Sequence, residues 1–144
     1  MSASDAFETD ILELIFTNTN LANIGDASGL QGSTAAGNLT IALHTASPGD
    51  SGNQSTSEAT YTSYARVSVA RAGAQWTITG DTVDNDNAIT FPTATGGSNT
   101  VTDFSIGGGF TNNMFFHGTL TASLAVSNGI TPEFAAGDLD VTAA

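Results

Sequence analysis

The chain has no cysteine, only two positively charged side chains, and no long apolar run. Each absence removes a class of function. Without cysteine there is no disulfide framework and no thiolate chemistry, so stability must come from packing, backbone pairing or assembly. Arg66 and Arg71 stand against fourteen carboxylates, and the net charge of -12 repels nucleic acid and anionic membrane. The apolar stretches fall well short of the ~18 residues that span a bilayer. The opening MSASDAFETD has neither the basic region nor the apolar core of a signal peptide. The expectation is a product made in a cytoplasm, with no nucleic-acid partner and no membrane partner.

What remains is a surface of hydroxyls and amides. Charged residues make up 11% of the chain, against roughly 25% in typical soluble domains. Thr, Ser, Asn and Gly fill the difference, which favours strands and turns over helices. A hydrophobic content of 40%, including eight Phe, is enough for a core and argues against disorder. Residues 1–144 read as one domain, because neither a repeat nor a linker divides them.

One segment carries a helical period. Asp5 with Glu8 three residues on resembles a capping box, with Ser4 as a competing N-cap. Phe7, Ile11, Leu14 and Ile15 then fall at i, i+4, i+7 and i+8, which predicts a helix over about 5–17 with those residues on its apolar face. Beyond it the period is two. Leu39, Ile41 and Leu43 alternate with polar or small residues, as do Ala65, Val67 and Val69. A long surface loop is expected over about 45–60. Trp76, Ile78, the Gly80-Asp81 turn and Val83 form the best hairpin signal. Thr102, Phe104 and Ile106 line one face up to Gly107-Gly108-Gly109, read as a turn or bulge; Met114, Phe116, Gly118 and Leu120 alternate after it. The fold class is mainly β: an antiparallel β-sandwich, jelly-roll-like or a partly closed barrel, with a short N-terminal α-helix.

Catalytic and metal motifs are weak. Gly49-Asp50-Ser51-Gly52 matches a serine-protease nucleophile box, but His44 lies only seven residues upstream and no other triad element follows. The expected catalytic set is empty. His44 and His117 lack the spacing and the companions of a zinc site. Asp81, Asp84 and Asp86 cluster enough oxygens for a weak calcium candidate, without EF-hand spacing. No cofactor is expected. Arg66 and Arg71 either pair with acidic neighbours or meet a partner subunit. Together with Phe7 and Ile11 they are the candidate interface residues. The helix and the 45–60 loop are the parts suited to reach a neighbour.

Several motifs resemble a known group. They are L-H-T-A-x-P-G at 43–49, Tyr61-x-x-Tyr64-Ala65-Arg66-Val67, I-T-F-P-x-A-T-G-G at 89–97 and L-A-V-S-N-G-I-T-P at 124–132. With the opening FETDILELIFTNTNLANIGDASGL, they resemble small structural proteins encoded by tailed bacteriophages and prophages, often labelled tail-fibre or virion structural proteins. The resemblance covers nearly the whole chain. It departs in a stronger acidic balance and in the Phe-rich FTNNMFF at 110–116.

The resemblance implies a non-enzymatic virion protein that docks on other virion subunits, major capsid or tail proteins. A homo-oligomer is expected as well, because a chain without disulfides carries a detached helix and a large polar loop. Decoration of the head shell as a cement protein is preferred to a tail-fibre or tail-adaptor role, because long repeats and heptads are missing. A glycan-binding β-sandwich is a further alternative, with Tyr61, Tyr64 and Trp76 as the rings to be found exposed.

Overall fold

A computed structural model of the protein describes residues 3–26, 29–30, 32–109 and 112–143; Phe110 and Thr111 of the Phe-rich stretch lie outside these. The chain opens with α1 (Asp5–Leu12), which continues as a π-helical turn, Glu13–Thr17. The strands follow as β1 (Leu21–Asp26), β2 (Gly29–Leu30), β3 (Asn38–His44), β4 (Val67–Ala70), β5 (Trp76–Thr79), β6 (Thr82–Asn85), β7 (Ile89–Thr90), β8 (Ser98–Gly108), β9 (Phe116–Ser127), β10 (Glu133–Phe134) and β11 (Asp140–Thr142). The protein is mainly β with antiparallel sheets and one short N-terminal helix, and among the described residues no sheet closes into a barrel.

The chain forms two compact units, each from separate stretches. One comprises Met1–Asn38, Ala70–Ala88 and Phe134–Ala144; the other comprises Leu39–Val69 and Ile89–Glu133.

The first unit holds the helix, the β1–β2 pair and a three-stranded sheet of order β11-β6-β5. The β5–β6 hairpin closes where the sequence places it, with Thr79 opposite Thr82 and Gly80 at φ 64, a conformation glycine adopts without a Cβ penalty. Trp76 and Val83 are buried, as are Leu12 and Phe16 of the helix. Phe16 meets Trp76 edge to face, ring centroids 4.9 Å apart. The helix therefore buries Leu12 and Phe16, not the stripe Phe7, Ile11, Leu14 and Ile15. It carries two apolar stripes, and only tertiary packing chooses between them. The capping box also fails. Ser4 is the N-cap, its side chain makes no cap bond, and its carbonyl accepts from Phe7 and Glu8.

Asn85 secures the tail of this unit. Its side-chain amide donates to the carbonyls of Asn87 and Ala135, and its side-chain oxygen accepts from the Leu139 amide. A buried amide with these bonds satisfied fixes the incoming chain.

The second unit is built on a sheet of order β4-β3-β8-β9. In its central pair Leu39, Ile41 and Leu43 stand opposite Gly108, Ile106 and Phe104, while Thr40, Ala42 and His44 stand opposite Gly107, Ser105 and Asp103. Opposed residues share a face, so one face is apolar and the other polar. β8 runs straight through Gly107 and Gly108, which correct the expected turn. A Cβ at Gly107 would lie 2.0 Å from the Asn113 carbonyl oxygen and 2.6 Å from the Gln54 carboxamide carbon. The glycine is there for close approach, inside a strand. Phe104 and Phe116 are half-buried, not central core; the Phe104 ring lies over Gly118. β9 pairs with β8 in two registers, Leu124 with Val101 and Thr119 with Asp103, so Leu120–Ser123 bulge from the edge.

Candidate functional site

The polar face of the second unit's sheet is where the chemistry-bearing residues gather. The irregular segment 45–60 pairs with the edge of β3, Glu58 opposite His44, through the Thr45 amide to the Ser57 carbonyl and the Ala59 amide to the Leu43 carbonyl, and its Gln54 side chain and Thr56 carbonyl reach over the face. Pro48, Gln54 and Ala59 of this segment are buried. It is irregular, as read from its Ser-Pro-Gly-Asp composition, but it is folded down and does not reach outward.

His44 is the centre of the face and is fully buried. Its Nδ1 lies 2.8 Å from the Thr56 carbonyl oxygen. A carbonyl only accepts, so Nδ1 carries the proton. Nε2, 2.7 Å from Ser105 Oγ, then accepts the serine hydroxyl. Burial lowers the pKa of the ring from its ordinary value, against the opposing pull of the Thr56 carbonyl, Glu58 and Asp103. The ring is held neutral in one tautomer.

Around it the polar groups satisfy one another. Thr40 Oγ1 donates to Gln54 Oε1 at 2.8 Å, and Gln54 Nε2 donates to the Thr40 carbonyl at 2.8 Å. Arg66 grips Glu58 through Nε and Nη2, both at 2.7 Å, and its Nη1 reaches Gln54 Oε1 at 3.4 Å. That bond to Glu58 raises the Arg66 pKa. Tyr64 donates to Glu58 and accepts from the Leu43 amide; burial pushes its phenol well above the usual range. Asp103 takes hydroxyl bonds from Thr102 and Thr119. Among the described residues no buried side-chain nitrogen or oxygen lacks a partner.

An imidazole, a hydroxyl and a carboxylate thus share one face, the condition a hydrolase would meet. Two features work against that chemistry. His44 and Ser105 are both at 0% exposure, so no substrate carbonyl can approach Ser105 Oγ. The orienting partner of Nδ1 is a backbone carbonyl, while Asp103 binds threonines. The arrangement holds a segment onto a sheet. His117 stands opposite Ser105 on the same face, and its Nε2 lies 3.1 Å from Asp50, so the Gly49-Asp50-Ser51-Gly52 box supplies a loop contact.

Other sequence candidates fall elsewhere. Asp81 sits at the hairpin turn and Asp86 beyond the far end of β6, separated by five strand steps or about 16 Å. The strand geometry keeps the three acids from converging. Asp84 faces Asp140 across the sheet; a hydrogen bond with Asp140, then burial and the charges of Asp140 and Asp86, raise its pKa. Asp86 accepts from Thr77. Among the described residues no three His, Cys, Asp or Glu side chains group closely enough to hold a metal ion.

Arg71 pairs with no acid in the described residues. Its guanidinium donates to the carbonyls of Leu14 and Ile15 at the helix end, and to Ala36 and Ser33. It caps the helix, where a cation also opposes the dipole. Both arginines offered as interface residues are engaged within their own unit. Tyr61 and Trp76 are buried, with Tyr61 donating to the Pro92 carbonyl and Trp76 Nε1 to the Ala70 carbonyl; Tyr64 is half-buried and bonded as above. The three rings proposed for a glycan platform are therefore not displayed. Phe7 is 40% exposed and Ile11 half-buried.

Gln54, Ser105 and Asn85 were not singled out in the sequence. Each looks like an ordinary surface residue until a distant segment covers it. The one signal available was a histidine, His44, at the end of an apolar strand.

No helix among the described residues is long and apolar enough to cross a membrane. A search of curated proteins finds no match. The family model of the Podophage GP4 fiber I protein gp80 matches residues 2–142, nearly the whole chain. The motifs at 43–49, 61–67, 89–97 and 124–132 all fall within that span, and the chain belongs to this family of phage fibre and virion structural proteins.

Proposed function

We propose that the protein is a non-enzymatic subunit of the tail fibre apparatus, present in several copies and docked on other virion proteins. The family match over residues 2–142 carries this reading, since its description is of a fibre protein. A building role also suits the molecule. Its Ser–His pair is sealed at 0% exposure and ties down the 45–60 segment. Its small hydroxyl-rich surface suits many weak contacts that add through effective concentration.

Decoration of the head shell is the second reading. It is favoured by the lack of the long repeats or heptads that build an extended fibre shaft. Quantitative mass spectrometry of purified particles, with antibody labelling in electron micrographs, separates the two. Label at the tail with a small copy number supports the fibre subunit. Label over the head, with copies comparable to the major shell protein, supports decoration. A particle without the protein overturns both.

A further inference from the structure

We infer that the outward face of the N-terminal helix is the docking surface, and that it fits an apolar pocket rimmed by Lys or Arg on a different virion protein. This rests on the virion reading above and names the partner's chemistry.

The helix is amphipathic in an unusual sense. One side, Leu12 and Phe16, is fully buried. Phe7 and Ile11 lie one turn apart on a face roughly opposite, because each residue advances about 100° around the axis. Phe7 keeps 40% of its surface exposed, and Ile11 is only half-buried. A large ring displayed on a regular helix is the usual form of an interface anchor.

The mount is rigid. Thr9 Oγ1 donates to the Gly80 carbonyl at 2.6 Å. Arg71 caps the far end through the Leu14 and Ile15 carbonyls. Asn18 closes the helix at φ 61 and exchanges bonds with Ser33. A pre-ordered helix loses little entropy on docking.

Charge decides the occupant. Glu8 and Asp10 flank the stripe, roughly 80° to either side of it, and residues 5–17 contain no cation. The chain's two arginines are both engaged inside their units, Arg66 with Glu58 and Arg71 with backbone carbonyls. A second copy of this chain would therefore bring carboxylates against carboxylates, which costs association. A pocket with a basic rim would gain from the same carboxylates, in a salt-dependent way.

The test is a phage lacking this gene, complemented in the host with full-length variants. Particles are purified and the incorporated chain is counted by mass spectrometry. Phe7→Ser should melt like the wild type, since Phe7 is not core, yet fall in incorporation by about tenfold or more. Phe7→Leu should restore much of it, and Asp10→Lys should reduce it. A photoreactive benzoylphenylalanine at position 7 should cross-link in intact particles to a different virion protein, through a peptide flanked by Lys or Arg. Wild-type incorporation of Phe7→Ser overturns the inference, as does a cross-link only to another copy of this chain. If the wild-type chain itself is absent from particles, the virion reading falls and this inference with it.

Discussion

The N-terminal helix and the 45–60 segment look alike in sequence as parts able to reach a neighbour, yet the structure treats them oppositely. The segment has the composition of a solvated loop and is fastened down by His44 on the Thr56 carbonyl, Gln54 on the Thr40 carbonyl, and Arg66 and Tyr64 on Glu58. The helix has the pattern of a core element, and it leaves Phe7 partly exposed. Composition reports what a segment could do alone. Packing reports which of its groups already have partners, and only the remainder is free for assembly.

The largest blow to this contrast is at Trp76, whose ring seats Phe16. Trp76→Ala should cost about 3–5 kcal/mol and free the helix from its sheet. Thermal melting with hydrogen exchange of the helix checks it; a stable variant with an exchange-protected helix would mean that Trp76 is not the seat. Next, Gln54→Leu leaves the Thr40 carbonyl without its side-chain donor and should cost about 1–3 kcal/mol. Exchange should rise across 45–60 and stay unchanged in the helix.

Acid should loosen the segment more gently. His44 has a folded pKa below its ordinary value, so the unfolded chain binds a proton more readily. The stabilisation from a neutral ring is complete above the unfolded value near 6.5 and is lost as pH falls from there through the lower folded value. Melting temperature should drop as pH falls below about 6.5, and His44→Asn should flatten that slope. Equal slopes would show that another group sets the pH dependence. Smallest of all, Phe7→Ser should change stability by less than about 0.5 kcal/mol. A clear loss on melting would place the ring in the core.

Much of the fold was readable because alternation is a local property. β3 and the β5–β6 hairpin, with its Gly80 turn, fall where the period of two puts them. The helix limits also hold, while its buried side does not, since Leu12–Phe16 and Phe7–Ile11 are equally apolar. The polar face was illegible for a different reason. Thr40, His44 and Ser105 sit at polar positions of alternating strands, which normally face water. They are covered by a segment of the same polar character, and nothing local announces that covering. Gly107 misled in the same way: its lack of a side chain makes room for Gln54 and the Asn113 carbonyl, although three glycines in a row suggest a turn. The acidic cluster failed because sequence proximity along a strand means separation in space.

Hydrogen–deuterium exchange measured on the free chain and on the same chain within intact particles weighs the two regions against each other. New protection confined to peptides from the helix, with 45–60 unchanged, is the predicted result. Protection gained over 45–60 while the helix stays as it was would contradict it, and would make the fastened segment the part that grips the virion.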